Sequence, residues 1–305
     1  MSLPNVVIVG APKCGTSSVF AWLADHVEVG SSCVKETFYL MDKGNPLLKP
    51  HSNFHEHGLD GYKAYFSDYG ANIKVIVEAT AHYMYQKTAL EVLSSFNSLP
   101  HIIIILRKPS ERVFSDFRYT QHNLANIDKN LSFFQFVHAI TSDSAELLRD
   151  KFFGVGNDVL PLKAIKYSQY IDYIPAWVSR FGMEHVHIFL FENMKKDPRT
   201  FMKELSQSIG IEPDVYQNYN FQPENESFSI KNHLLHRYAT RVEQMIPQGK
   251  FKEFSKRLYL DLQTDTRRVQ ITPEDRAALL VLDDYFMPFN QQLACDFNID
   301  ISTWK

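Results

Sequence analysis

Residues 101–106 read His-Ile-Ile-Ile-Ile-Leu, an apolar run with no polar alternation. A strand with one face in water alternates, whereas an unbroken run suits a strand covered on both faces, as in a parallel sheet packed between helices. Three further runs behave the same way, at 5–10 (NVVIVG), 74–77 (KVIV) and 185–191 (HVHIFLF). Segments with helical spacing lie among them at 15–26, 87–97, 110–123, 131–149, 164–180 and 199–209, with Pro109 and Pro198 where a first helical turn accepts proline. Thr272 predicts the cap of a last helix that opens on Pro273 and carries Leu279, Leu282 and Phe286. The alternation predicts an α/β fold, a three-layer sandwich with a central, mostly parallel sheet and a helical C-terminal part. The 305 residues, 45% of them apolar, can fill one such core, and no Pro/Gly/Ser-rich linker divides them, so 1–305 reads as a single domain.

Charge narrows the choice of ligands. Thirty-two Lys and Arg against 35 Asp and Glu leave a formal charge of −3, which argues against a general nucleic-acid binder and requires any anionic ligand to be held by a built site. The three cysteines, Cys14, Cys33 and Cys295, do not form a disulfide framework and suit a reducing compartment. No run reaches the ~18 apolar residues of a membrane span, and an apolar strand begins near the first residue. The expectation is a soluble, cytoplasmic protein. His51, His55 and His57 are close in sequence but lack firm further ligands, and no metal site is expected.

The most informative stretch joins the first strand to the first helix: Gly10-Ala-Pro-Lys-Cys-Gly-Thr-Ser-Ser18. A loop in that place can aim backbone N–H groups and a helix N-terminus at an anion. It keeps two glycines of the nucleotide-triphosphatase P-loop, Gly10 and Gly15, but Thr16 stands where that motif needs lysine, and the lysine is Lys13, inside the loop. The fold is therefore P-loop-like, with a loop shaped for something other than a magnesium-bound triphosphate. A second feature lies at 106–115, LRKPSERVFS: Arg107 emerges at a strand's carboxyl end, where open α/β sheets bind ligands, and Ser115 follows on the next helix. A guanidinium fork and a hydroxyl can grip one phosphate from two sides.

The loop PKCGTSS resembles the 5′-phosphosulfate loop of sulfotransferases that use 3′-phosphoadenosine 5′-phosphosulfate (PAPS), and Arg107 with Ser115 resembles their 3′-phosphate motif. Lys35-Glu36-Thr-Phe-Tyr-Leu40, Glu78-Ala-Thr-Ala-His-Tyr83, the Tyr170 and Trp177 spacing, 191–198 (FENMKKDP) and the tail from Phe289 to Trp304 are similar to landmarks of the heparan-sulfate-type branch. Ala79 and Ala81 depart from that branch's Glu-Lys-Ser-Pro segment. The resemblance implies a sulfotransferase with PAPS as donor and 3′-phosphoadenosine 5′-phosphate (PAP) as product, no metal, and a small-molecule or carbohydrate hydroxyl as acceptor. It implies donor binding by Lys13, Cys14, Gly15, Thr16, Ser17, Arg107, Ser115 and Tyr170, with Lys231 in a late loop at 225–233.

Sulfuryl transfer needs both reactants positioned, the acceptor proton removed and the leaving oxygen stabilised. Lys13 is the candidate for the leaving oxygen and Glu36 for the base, with apolar neighbours that would raise its pKa. His82 is the rival base. Each has a plainer reading: Glu36 as a carboxylate paired with Lys35, His82 as a packed ring beside Tyr83 and Tyr85, Tyr170 as core. A P-loop kinase and a noncatalytic nucleotide-binding protein are the competing functions; the missing Gly-Lys-Ser/Thr argues against the first, and Lys13, Arg107 and Ser115 against the second.

Overall fold

Five parallel strands form the sheet in a computed structural model that describes residues 3–142, 144–153, 162–222, 229–230, 264–265 and 271–304. They are β1 (Val6–Gly10), β2 (Val29–Ser31), β3 (Val75–Ala79), β4 (His101–Leu106) and β5 (Val186–Leu190), in the spatial order β2-β3-β1-β4-β5. β1 pairs with β3 on one side (Val6 opposite Val77) and with β4 on the other (Val6 opposite His101). Every strand runs the same way, so all carboxyl ends open onto one edge, and the chain reverses its direction of travel across the sheet between β1 and β4. Such a switch point is where doubly wound sheets leave a crevice for ligands.

The two central runs are dry. Val6 to Val9 and Ile102 to Leu106 are wholly buried, as their unalternating sequences require, and each such aliphatic side chain contributes ~1.5–3 kcal/mol on burial. Trp177 and Phe181 of the helix Ile174–Phe181, with Phe201, Met202 and Leu205 of the helix Pro198–Ser208, join the same core.

Two compact units divide the chain, one made of 1–108, 169–225 and 288–305, the other of 109–168 and 226–287. The first holds the sheet, α1 (Thr16–Ala24), α2 (Phe54–Lys63) and α3 (Lys87–Leu93). The second includes α4 (Pro109–Arg118) and α5 (Phe133–Thr141), around a cluster of Phe114, Phe117, Phe133 and Phe136. There the fully buried Arg112 donates to Ser168 Oγ at 2.7 Å and to Ala164 O at 2.7 Å.

Helix limits differ from the sequence reading where local chemistry intervenes. The single helix expected over 164–180 is three pieces, Ala164–Ser168, a 3-10 turn at Tyr170–Asp172 and Ile174–Phe181: Gln169 leaves helical geometry (ψ 71°), and Pro175, with no N–H to offer residue 171, sits in the first turn of the last piece. The helix expected over 110–123 leaves α geometry at Tyr119–Asn123, in a π turn, and the one over 131–149 ends at Thr141 before the 3-10 segment Ala145–Lys151. The last helix, Pro273–Phe297, starts as expected: Thr272 Oγ1 accepts from Asp275 N at 3.1 Å and Asp275 Oδ2 accepts from Thr272 N at 2.9 Å.

Candidate active site

The loop after β1 is built by close packing. Gly15 caps α1 in the left-handed region (φ 82°), and a Cβ there would lie 2.4 Å from the Met194 methyl and 3.0 Å from the Phe191 ring. No side chain caps α1 at Gly15, so the first-turn N–H groups of Thr16 and Ser17 face the loop at the positive end of the helix dipole. Lys13 also has positive φ (69°), a conformation that costs a non-glycine residue ~1–3 kcal/mol and persists where the surroundings impose it. Thr16 and Cys14 are buried, while Lys13, Gly15 and Ser17 reach partly to solvent.

Arg107 leaves β4 beside this loop. Its guanidinium stacks 4.8 Å from the centroid of Phe191, the ring that also abuts Gly15. The Tyr170 hydroxyl donates to Arg107 O at 2.9 Å and lies 3.8 Å from Cys14 Sγ. One phenol and one phenyl ring thus tie the strand ends of β1 and β4 together. Tyr170 is 1% exposed, so its ring belongs to the core and its hydroxyl to the site. Glu192 braces the same corner: Oε1 accepts from Lys108 N at 2.9 Å and Oε2 from Trp304 Nε1 at 3.0 Å. Phe191, Glu192 and Trp304 had no assigned role in the sequence reading, though they lie in segments matched as landmarks. Ser115 is half-buried on α4, in the second unit. Lys231 and the rest of the expected late loop, apart from 229–230, lie outside the described residues.

On the other flank of β1, Glu36 sits at the end of β3, its N–H donating to Ala79 O at 2.8 Å. Its carboxylate pairs with Lys35 Nζ and accepts from Ala81 N at 3.2 Å. Its partners are thus polar rather than the apolar residues expected from 38–40, whose Tyr39 and Leu40 turn into the core. Phe38 is half-buried at the edge of that core, 6.2 Å from the His82 ring and 5.9 Å from the Lys49 ammonium. His82, 6.4 Å from Tyr85, which is 4.8 Å from Tyr173, extends a row of half-buried rings. Burial pulls Lys49 below the usual lysine range, and the same cause pushes the carboxyl of Glu78, fully enclosed behind this surface, up to about 8.

The carboxyl ends of three neighbouring strands therefore present Glu36 and His82 at β3, the Lys13 loop at β1 and Arg107 at β4, in that order along one edge. His55 Nε2 is 2.9 Å from Met41 O, and among the described residues no group of three or more His, Cys, Asp or Glu is placed to hold a metal ion. No described helix is long and apolar enough to cross a membrane.

The sulfotransferase domain model matches residues 3–270, and the chain belongs to that family. It is 26% identical over 234 residues to the bifunctional heparan sulfate N-deacetylase/N-sulfotransferase of Drosophila melanogaster, covering 72% of this chain and 21% of that protein. It is 22% identical over 218 residues to the heparan sulfate glucosamine 3-O-sulfotransferase 5 of Mus musculus, covering 72% of this chain and 56% of that one. The chain thus spans between about a fifth and just over half the length of these relatives. A sulfotransferase from Alicyclobacillus acidocaldarius has the same fold, with a TM-score of 0.66 at 19% identity over 100% of this chain and 99% of the other.

Proposed function

We propose that the protein transfers the sulfuryl group of PAPS to a hydroxyl or amine of a carbohydrate acceptor, releasing PAP. The observation that carries this reading is the order of groups along the sheet edge: a base, an anion loop with an inserted lysine, and an arginine. A donor laid along that edge would set its 5′-phosphosulfate on the amides of Gly15 to Ser17 and its 3′-phosphate at Arg107.

As the acceptor oxygen or nitrogen bonds to sulfur, the bond from sulfur to the bridging 5′-phosphate oxygen breaks. Lys13 offsets the charge growing on that oxygen, and Glu36 takes the acceptor's proton. His82 stands by as the alternative proton acceptor. Phe38, His82 and Tyr85 offer ring faces to a sugar, and Lys49 a cation to an acidic one. The exposed thiols Cys33 and Cys295 support a cytoplasmic setting; recovery in the soluble fraction of expressing cells checks it, and recovery with membranes overturns it.

The decisive experiment pairs a binding titration with a labelled-sulfate transfer assay over a panel of oligosaccharides, phenols and lipids. Tight binding of PAP without Mg²⁺, with label transferred to a saccharide, is the expected result. Preference for Mg-ATP overturns the donor in favour of a kinase. Transfer to phenols or lipids alone overturns the acceptor, and PAP binding with no transfer favours the noncatalytic reading.

A further inference from the structure

Behind Glu36 lies a polar network that the transfer reaction does not itself use. Glu78, at the carboxyl end of β3, is 0% exposed. Its Oε1 accepts from Thr37 Oγ1 at 3.0 Å and from Thr80 Oγ1 at 2.6 Å, while Oε2 has no hydrogen-bond partner. The Thr37 hydroxyl is also 2.7 Å from the Tyr83 hydroxyl, which accepts from the N–H groups of Tyr39 and Leu40 at 3.1 Å each. Thr37 stands between two non-glycine residues in the left-handed region, Glu36 (φ 61°) and Phe38 (φ 52°). A turn of that kind survives where something pins its centre, and here the pin is a buried hydroxyl held by a buried carboxyl. Both flanking side chains stay half-buried, Phe38 against the edge of the core, and so reach the surface where the acceptor would lie.

We propose that Glu78, acting through the Thr37 hydroxyl, is a positioning residue that holds this turn in the shape that presents Glu36 to the acceptor. The inference rests on the reading of Glu36 as the base. Lys35, Glu36, Lys49, Tyr62 and Tyr83 are the ionisable groups electrostatically coupled to Glu78. Largely protonated at neutral pH, Glu78 leaves the site one carboxylate charge rather than two, and its ionisation would set a second negative charge behind the base.

The test is a double-mutant cycle in kcat, read beside PAP affinity. Thr37→Val is expected to lower kcat by at least ~10-fold while leaving the Kd of PAP within about two-fold, and Thr37→Ser to restore the rate. In a Glu36→Gln background Thr37→Val should cost little more, because the group it positions is gone. Glu78→Gln, which keeps an oxygen for Thr37 but cannot ionise, should erase a fall in rate that the unaltered enzyme shows above about pH 8, and a fall that persists in that variant would overturn the part given to Glu78. Multiplicative losses in the double variant, or an unchanged kcat for Thr37→Val where Glu36→Gln is inactive, would overturn the positioning role. Full turnover by Glu36→Gln would instead remove the base assignment on which it stands.

Discussion

Phe191 touches both the donor loop, at Gly15, and Arg107, yet the loop's Lys13 and Arg107 are asked to do different things. Lys13, held at positive φ inside the anion loop, gains most in the transition state; Lys13→Ala should cost ~10²-fold or more in kcat with a much smaller change in PAP affinity, checked by steady-state rates beside calorimetry. With the 3′-phosphate at Arg107, as proposed, Arg107→Ala should weaken PAP by ~1.5–3 kcal/mol while leaving adenosine 5′-phosphosulfate nearly unchanged. Equal losses for the two ligands would take the 3′-phosphate away from Arg107. Gly15 is constrained twice, by φ 82° and by the Met194 and Phe191 side chains, so Gly15→Ala should lower stability by at least ~1 kcal/mol and weaken PAP together, read by urea unfolding and titration. Glu78 shows why single residues are harder to read than motifs. A glutamate ending a short apolar run looks like a strand terminus, and nothing in its spacing reveals that Thr37, forty-one positions earlier, closes over it.

At the level of elements, what was legible is what repeats. Unbroken apolar runs marked β1, β3 and β4, and a side-chain cap with a following proline marked the start of the helix Pro273–Phe297; the run that marked β5 is interrupted by His187, and as an edge strand its middle residues are half-buried rather than covered on both faces. The three-residue β2, Val29–Ser31, is too short to carry a pattern and is a strand because β3 supplies its partners. The break at 169–173 escaped for the opposite reason. Tyr167, Tyr170, Ile174 and Trp177 keep helical spacing across it, so the periodicity continued where the backbone did not. That break is useful, since it sets the Tyr170 hydroxyl on Arg107 O. Tyr170→Phe should therefore cost about 1 kcal/mol in stability and weaken PAP more than adenosine 5′-phosphosulfate, measured on the purified variant. In β4, Ile104→Ala removes a fully buried side chain between two covered faces and should cost ~2–5 kcal/mol, seen as a lower urea midpoint at unchanged slope.

Across the whole molecule two buried titrations act in opposite directions. Glu78 has a folded pKa of about 8 against a reference of 4.5, so the folded protein binds the extra proton and stability falls as pH rises between those values. His187 is the reverse: burial, with His101 and His185 nearby, holds it at about 4, below its reference of 6.5, so stability falls as pH drops through that window. Its Nε2 lies 2.9 Å from His101 Nδ1, at the amino-terminal end of the sheet, away from the proposed site. The melting temperature should hold a plateau between about pH 4.5 and 6.5, where the two windows overlap and their slopes cancel, and fall on either side; Glu78→Gln should remove the alkaline fall, and His187→Gln should let that fall begin near pH 4.5. The order of groups along the sheet edge was legible from the sequence only as separate motifs, because adjacency of β3, β1 and β4 is a property of topology. The same topology has a consequence for biogenesis. Trp304 donates to Glu192, which in turn accepts from the backbone just after β4, so the corner that would receive the nucleotide is finished by a side chain made almost three hundred residues after Lys13. A nascent chain still lacking that indole would hold every motif of the donor loop and yet have an unbraced strand end at Arg107, so the firm grip proposed for the nucleotide would wait until residue 304 has been made and folded back.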